Sequence, residues 1–339
     1  MNKSSEARSA QIPLKWMNDL PASLASIQIA SLLELQMLPS TLKTLVHGDY
    51  MIRTIERIIT STGFSLQHSD NGEITGLFYH CKLSSAYQPV FEAARNNIIG
   101  QEARIRADLN GNGEIQLSPW HIFALAPDDE QLIKLDRLCR TIHALNFLDN
   151  ITNKQMKLFV SVQPRLLESV KDDHGSAFEQ ILDTIGIRTS RIVIEIPVEA
   201  NRDWRLLKRV IMNYRAHGYL ISVNYSGTNN DRISELGKLY PNVIRIDARD
   251  LLRRSVLDPL IVTAHDQGAD VLVGNIETSY QLTDAIHAGA DLLQGNFLAR
   301  PSRKADSMLP PFSWQIPDER NGYRFDNEPL QENQPYGNI

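Results

Sequence analysis

A chain of 339 residues with 42% hydrophobic residues can bury a large core, and its length suits one βα-type domain with a small appendage. A formal charge of −5 supplies no broad basic field, which argues against duplex nucleic acid as a partner but leaves room for a local basic pocket that takes a phosphodiester. The two cysteines, Cys81 and Cys139, are far apart, lack metal-ligand spacing and sit among apolar residues, the pattern of buried reduced thiols in a cytoplasmic protein.

Met1 to Ala10 is polar, and the most apolar early run, Ile27 to Leu38, is interrupted by Ser31, Glu34 and Gln36. Neither reads as a signal peptide or a membrane span, so no membrane contact is expected. Up to about residue 60 the chain reads as helices. Pro21 to Leu38 is rich in Leu, Ala and Ile, and Ile52, Ile55, Ile58 and Ile59 recur at helical spacing. Leu24, Ile27, Leu32, Leu33 and Leu35 offer more apolar surface than so small a segment hides alone, which makes it a candidate for partner or homodimer contacts; packing on the main domain is the alternative. Asn71-Gly72 between Phe64–His68 and Ile74–Tyr79 predicts a β-hairpin with a two-residue turn.

Strand-like runs then alternate with helix-like stretches: 86–91, 158–162, 192–196, 220–224, 243–247, 271–273 and 291–293. Leu132, Leu135, Leu138, Ile142 and Leu145 form one helical stripe among them. This is the rhythm of an α/β barrel. From Met308 onward Pro, Asn, Gln, Glu and Asp dominate, although Phe312 and Trp314 are able to dock locally. The expected organisation is therefore a mainly helical segment with a hairpin over 1–82, a barrel over 83–304 and a mobile polar tail over 305–339.

Asp108-Leu-Asn-Gly-Asn-Gly-Glu-Ile115 matches the first eight positions of a calcium-binding EF-hand loop, but the twelfth position, which should be a bidentate glutamate, is Pro119. A turn between two short strands is the better reading. Trp120 and Phe123, in a helix-like segment with apolar neighbours, are expected in the core.

Val271-Leu-Val-Gly-Asn-Ile-Glu-Thr278 and Leu292-Leu-Gln-Gly-Asn-Phe297 each run from an apolar strand into a polar cluster, where a barrel places its site. Together with Tyr87-Gln-Pro-Val90, Gly100-Gln-Glu-Ala-Arg-Ile-Arg106, Ser118-Pro119, Ile194-Glu-Ile196, Ile244-Arg-Ile-Asp247 and Arg300-Pro301, in this order over roughly residues 83 to 304, they resemble the EAL domain family. The resemblance implies a modified TIM (β/α)8-type barrel and a relation to cyclic di-GMP, which active members linearise with two divalent metals, Mg or Mn.

That chemistry needs oxygen ligands for two hard cations and a base for the attacking water. By the resemblance, Glu102 and Glu195 remain from the metal set, and Asp247 and Glu277 are further remnants, Glu277 bracing a loop. The family's asparagine falls at Ser161, its paired aspartates at Val223 and Asn224, its lysine at Arg245, and its general base at Gly274. Loss of a positioned base alone costs about 10²- to 10⁴-fold in rate. Loss of a bridging aspartate as well should prevent assembly of the metal pair, so no catalytic residue and no metal or other cofactor is expected.

Binding is a separate matter. Arg106 is placed by the resemblance to pair with a ligand phosphate, Gln88 and Gln294 to contact guanine, and Glu102, Arg104 and Arg245 to border the same cradle. Arg104 stands where the family has leucine and either adds a phosphate contact or fills the pocket. Simpler roles stand beside these: Glu102 and Glu195 as ion-pair partners of Arg106 or Arg245, Asp247 as a helix cap, Gln88 as a backbone partner. The expected function is a catalytically inactive EAL-type signalling protein, a metal-independent cyclic di-GMP receptor or a regulator acting through a protein partner. The alternatives are a nucleotide-independent interaction module and an active phosphodiesterase with an unusual metal set.

Overall fold

The computed structural model of the chain describes residues 40–303, apart from 70–71, 112, 114, 151–152, 154, 170–172, 174, 226–237 and 253, together with Trp314. The apolar stretch from Pro21 to Leu38, Asn71, Asn229 to Asn230, Phe312 and most of the tail lie outside the described residues. The chain divides into two compact units, 1–53 and 54–339, and helix α1 (Ser40–Thr62) spans the division. Everything below belongs to the second unit.

Strands β1 (Ser65–His68), β2 (Ile74–Phe78), β3 (Cys81–Glu92), β4 (Ile98–Leu109) and β5 (Ile115–Leu117) follow one another as antiparallel neighbours. From there the chain alternates: α2 (Pro119–Ala124), α3 (Asp129–Asn150), β6 (Lys157–Ser161), α4 (Pro164–Ser169), α5 (Ser176–Ile185), β7 (Ile192–Ile196), α6 (Trp204–Ala216), β8 (Leu220–Tyr225), β9 (Val243–Asp247), α7 (Arg254–Asp266), β10 (Asp270–Gly274), α8 (Ser279–His287) and β11 (Leu292–Leu293). Strands β4 and β6 to β11 run parallel around the barrel, and antiparallel β3 closes it by pairing with both β4 and β11. The result is a closed barrel of eight strands flanked by helices, the expected α/β architecture with one reversed strand.

The second edge of β3 is shared by three segments. Strand β2 pairs near its start, Ser302 bridges to Tyr87 in the middle, and β11 pairs at its end. The hairpin assigned ahead of residue 83 is thus continuous with the barrel sheet. The hairpin expected around Asn71-Gly72 is present as antiparallel β1 and β2. His68 pairs with Ile74, the Ser69 N–H donates to the Glu73 carbonyl and the Gly72 N–H to the Ser69 carbonyl, with Gly72 at φ 83°. A separate two-residue loop, Tyr79-His80, joins β2 to β3 between the paired Phe78 and Cys81, with Tyr79 in the left-handed region.

The stripe from Leu132 to Leu145 is buried along α3 as its spacing demands. Inside the barrel, Val90, Phe159, Val193, Val243, Leu272 and Leu292 form an apolar floor. Gly100 belongs to the same layer, since a Cβ there would lie 2.5 Å from the Phe159 ring.

The calcium-loop match folds as the β4–β5 hairpin, with Asp108 opposite Gln116 and its carboxylate accepting from the Gly113 N–H. Trp120 departs from the expectation of a core residue: it is 76% exposed, because the six-residue α2 buries only Ile122. Within the tail, Trp314 is the described residue. Trp314 is buried, packs edge-on to Phe91, donates its indole N–H to the Ala93 carbonyl and accepts through its own carbonyl from Asn96. Truncation of Trp314 to alanine should lower stability by about 3 kcal/mol, read as a lower urea midpoint at unchanged slope. An unaltered midpoint would mean that this residue holds nothing.

Candidate functional site

Strand alternation decides which side chains share the barrel interior. One step above the apolar floor, in register around the strands, stand Gln88, Glu102, Ser161, Glu195, Ser222, Arg245, Gly274 and Gln294. Asn224 faces the same way beside Arg245, whereas Val223, one residue off, lies on the opposite, fully buried face. The two positions matched to the paired aspartates therefore do not both point into the site.

Arg245 is the hub. Its Nη1 donates to Glu102 Oε2 at 2.9 Å and to Glu195 Oε1 at 2.8 Å, and its Nη2 donates to Gln294 Oε1 at 2.6 Å. Its side chain is 12% exposed, against 9% for Glu102 and 2% for Glu195. Gly274 makes this placement possible. A Cβ on Gly274 would sit 2.9 Å from both Nε and Nη2 of Arg245, so the guanidinium occupies the space of any side chain at the position matched to the family's base.

Arg104 turns back onto Glu102 rather than outward, with Nε donating to Oε1 at 3.0 Å and Nη2 to Oε2 at 3.5 Å, and its side chain remains 40% exposed at the mouth. Arg106, further along the same face of β4, is exposed and makes no ion pair among the described residues. The partner of Glu102 and Glu195 is thus Arg245, not Arg106.

The two carboxylates differ in their proton affinity. Burial raises Glu102, but Arg245 and Arg104 together outweigh it and hold the carboxyl down at about 2. Burial and then the charge of Glu102 push Glu195 up to about 7, against the pull of Arg245 and a hydrogen bond from Ser161, whose hydroxyl lies 3.0 Å from Oε2. Glu102 has two guanidinium partners and Glu195 has one, so the shared proton belongs on Glu195.

Gln88 and Gln294 use their amides inside the protein. Gln294 accepts from Arg245 and reaches the Gln88 carbonyl at 3.5 Å, and Gln88 donates to the Asn296 side chain and the Ala299 carbonyl. Asn296 in turn donates to Glu277 at 3.0 Å. Asn296 was not singled out from the sequence, although it directly follows Gln294-Gly295. Gly295 is required by close approach, since a Cβ there would fall 2.0 Å from the Ile276 carbonyl oxygen. Asp247 is committed elsewhere: hydrogen bonds from the Arg249 side chain, ahead of those from the Arg249 N–H and Asn275, hold its pKa near 2, so it caps the turn that follows β9.

Two hard cations do not fit this arrangement. Among the described residues no group of three or more His, Cys, Asp or Glu side chains is placed to hold a metal ion, and a guanidinium stands between the two interior carboxylates.

Residues 72–301 match the family model of the EAL domain, and the chain belongs to that family. It is 30% identical over 232 residues to the EAL-domain containing protein YkuI of Bacillus subtilis (strain 168), a match that covers 64% of this chain and 54% of YkuI, so the chain spans about half of that relative's length. The crystal structure of YkuI in complex with substrate c-di-GMP and calcium superposes with a TM-score of 0.56 at 25% identity, covering 66% of this chain and 56% of that one. Two further structures share the fold at 18% identity. BlrP1 of Klebsiella pneumoniae, a manganese and c-di-GMP complex, has a TM-score of 0.58 and coverages of 80% and 74%. The FimX EAL domain of Pseudomonas aeruginosa, bound to c-di-GMP, has a TM-score of 0.54 and coverages of 76% and 98%.

Two outcomes follow for the network. Gly274→Ala should force the guanidinium off Gln294 and lower stability by about 1–3 kcal/mol in urea denaturation; full stability would show that Arg245 has somewhere else to go. The second concerns pH. Glu195 is raised from an ordinary 4.5 to about 7, so its contribution is complete below about pH 4.5 and fades as pH rises through 7. Unfolding midpoints at about pH 5 and about pH 8 should therefore differ less in Glu195→Gln than in the wild type; an equal difference removes the assignment of the proton to Glu195.

Proposed function

We propose that this chain is a catalytically silent EAL protein that works as a metal-independent cyclic di-GMP receptor or regulator in the cytoplasm, passing its state to a protein partner. The observation that carries the reading is the convergence of Glu102 and Glu195 on Arg245 beside Gly274. Metal-assisted hydrolysis requires cations that polarise the phosphoryl group and generate hydroxide, and a base to take the proton. Here the interior carboxylates already neutralise an internal cation, and Gly274 has no proton acceptor. The absence of a magnesium or manganese requirement belongs to the same proposal.

Nucleotide recognition is supported from two sides. The solved structure of the relative YkuI is a complex with c-di-GMP. In this chain Arg106 is exposed at the rim and Arg104 is partly exposed beside it, an arrangement able to meet a phosphodiester with charged hydrogen bonds. Gln88 and Gln294, with their amides engaged, support base contacts less than the sequence alone suggested.

One observation favours a second reading, a nucleotide-independent interaction module. Ile115, Trp120 and Leu125 are all at least 45% exposed on the β5–α2 arm, and an exposed tryptophan is a common anchor of protein contacts. Among the described residues no helix is long and apolar enough to cross a membrane.

Calorimetric titration of the full chain with cyclic di-GMP, with and without magnesium and with product analysis, tests these readings together. Magnesium-independent binding without a linear product is expected, and Arg106→Ala should weaken it by about 1.5–3 kcal/mol. Magnesium-dependent linearisation would overturn the silent reading, and no binding at all would leave the interaction module.

A further inference from the structure

We infer that the Arg245 guanidinium is a resident cation occupying an oxygen cage that takes a divalent metal once the guanidinium is removed, and that the bare backbone of Gly274 is what admits it. The inference rests on the metal-independent reading above and deepens it by naming the group that keeps metals out. Three acceptor oxygens from three strands surround this one guanidinium: Glu102 Oε2 on β4, Glu195 Oε1 on β7 and Gln294 Oε1 just beyond β11. The first two lie 2.9 and 2.8 Å from the same nitrogen, Nη1. A calcium-like cation prefers oxygens at about 2.3–2.6 Å, so one placed at Nη1 would ask each carboxylate to close by a few tenths of an ångström.

Other donors stand close by. The Ser161 hydroxyl already touches the second oxygen of Glu195, and the Ser222 hydroxyl, buried opposite Glu195 in register, has no hydrogen-bond partner among the described residues. Water would complete the coordination of a single ion. Two carboxylates and neutral oxygens suit one hard cation, not the pair that hydrolysis needs.

The exclusion has two parts. Nη1 fills the position equidistant from both carboxylates, and its charge cancels the attraction that would draw in a second cation. On β10 Arg245 is flanked by Leu272, its partner in register and a member of the apolar floor, and by Gly274. A Cβ at position 274 would collide with the guanidinium, so the arginine and the glycine work as one device.

The test uses Mn²⁺ alone as probe, counted by electron paramagnetic resonance and calorimetry on the full chain. The wild type should take up no Mn²⁺. Arg245→Ala should take up one ion per chain, with a gain in affinity of at least about tenfold, and should lose it again when Glu195→Gln is added. Arg245→Ala also leaves buried Glu195 without its cation and Glu102 with Arg104 alone, so a protein that folds only when Mn²⁺ is present supports the inference. If it folds under neither condition, Gly274→Ala decides, because its methyl group displaces the guanidinium while leaving every ligand in place; Mn²⁺ uptake by this variant supports the inference. Stoichiometric uptake by the wild type, no gain in a folded Arg245→Ala or Gly274→Ala protein, or uptake that survives Glu195→Gln would overturn it. None of these readings depends on nucleotide, so failure here is distinguishable from failure of the receptor reading, which is judged on cyclic di-GMP binding and product formation.

Discussion

Two buried carboxylates on neighbouring faces of a barrel repel each other and lose their hydration, and the fold keeps Glu102 and Glu195 only because one guanidinium stands between them. The rest of the mouth is arranged around that shared cation. One step along the strands, six apolar side chains pack together as the floor of the barrel. Above it, Arg104 covers Glu102 with a second positive group. Breaking such a set at one member leaves a charge unpaired in a dry place, which is far more unfavourable than an equivalent change at the surface.

The same cation organises the loops. Arg245 orients Gln294, Gln294 points to the Gln88 backbone, and Gln88 reaches Asn296 and Ala299. Asn296 then holds Glu277 on the loop that leads into α8, a helix whose start is fixed by a capping box between Thr278 and Gln281. Side-chain hydrogen bonds thus run without interruption from the middle of the barrel to its rim. The approach of Gly295 to Ile276 locks two of these loops together through their backbones.

Much of the barrel was legible because parallel strands buried on both faces read as short apolar runs; β7 and β9 fall where Ile192–Ile196 and Val243–Asp247 announce them. Strand β4 escaped that search. Its inward positions carry Glu102, Arg104 and Arg106, so its alternation is polar rather than apolar, and it was visible only as a motif. Glu102, Glu195, Arg245, Gly274 and Gln294, which the barrel brings together, stand out in the sequence only through the family resemblance. What could not be read was direction and partnership. Nothing in the sequence says that Arg104 folds back on Glu102, that Val223 faces away from Asn224, or that a glycine on β10 makes room for an arginine on β9. Those facts depend on register between strands distant in sequence, and a shift of one residue would reverse each of them.

The asymmetry between the two glutamates explains how the network persists across neutral pH. Glu102, with two guanidinium partners, stays ionised, whereas Glu195 changes its proton near 7. The Ser161 hydroxyl faces the outer oxygen of Glu195 and is able to donate to a carboxylate or to accept from a carboxyl group, so this contact survives in either state. Arg245 likewise keeps Glu102 and Gln294 as acceptors whether or not Glu195 is charged. A proton on Glu195 therefore changes the charge of the mouth by one unit without requiring any side chain to move. That makes the site more positive on the acidic side of neutrality.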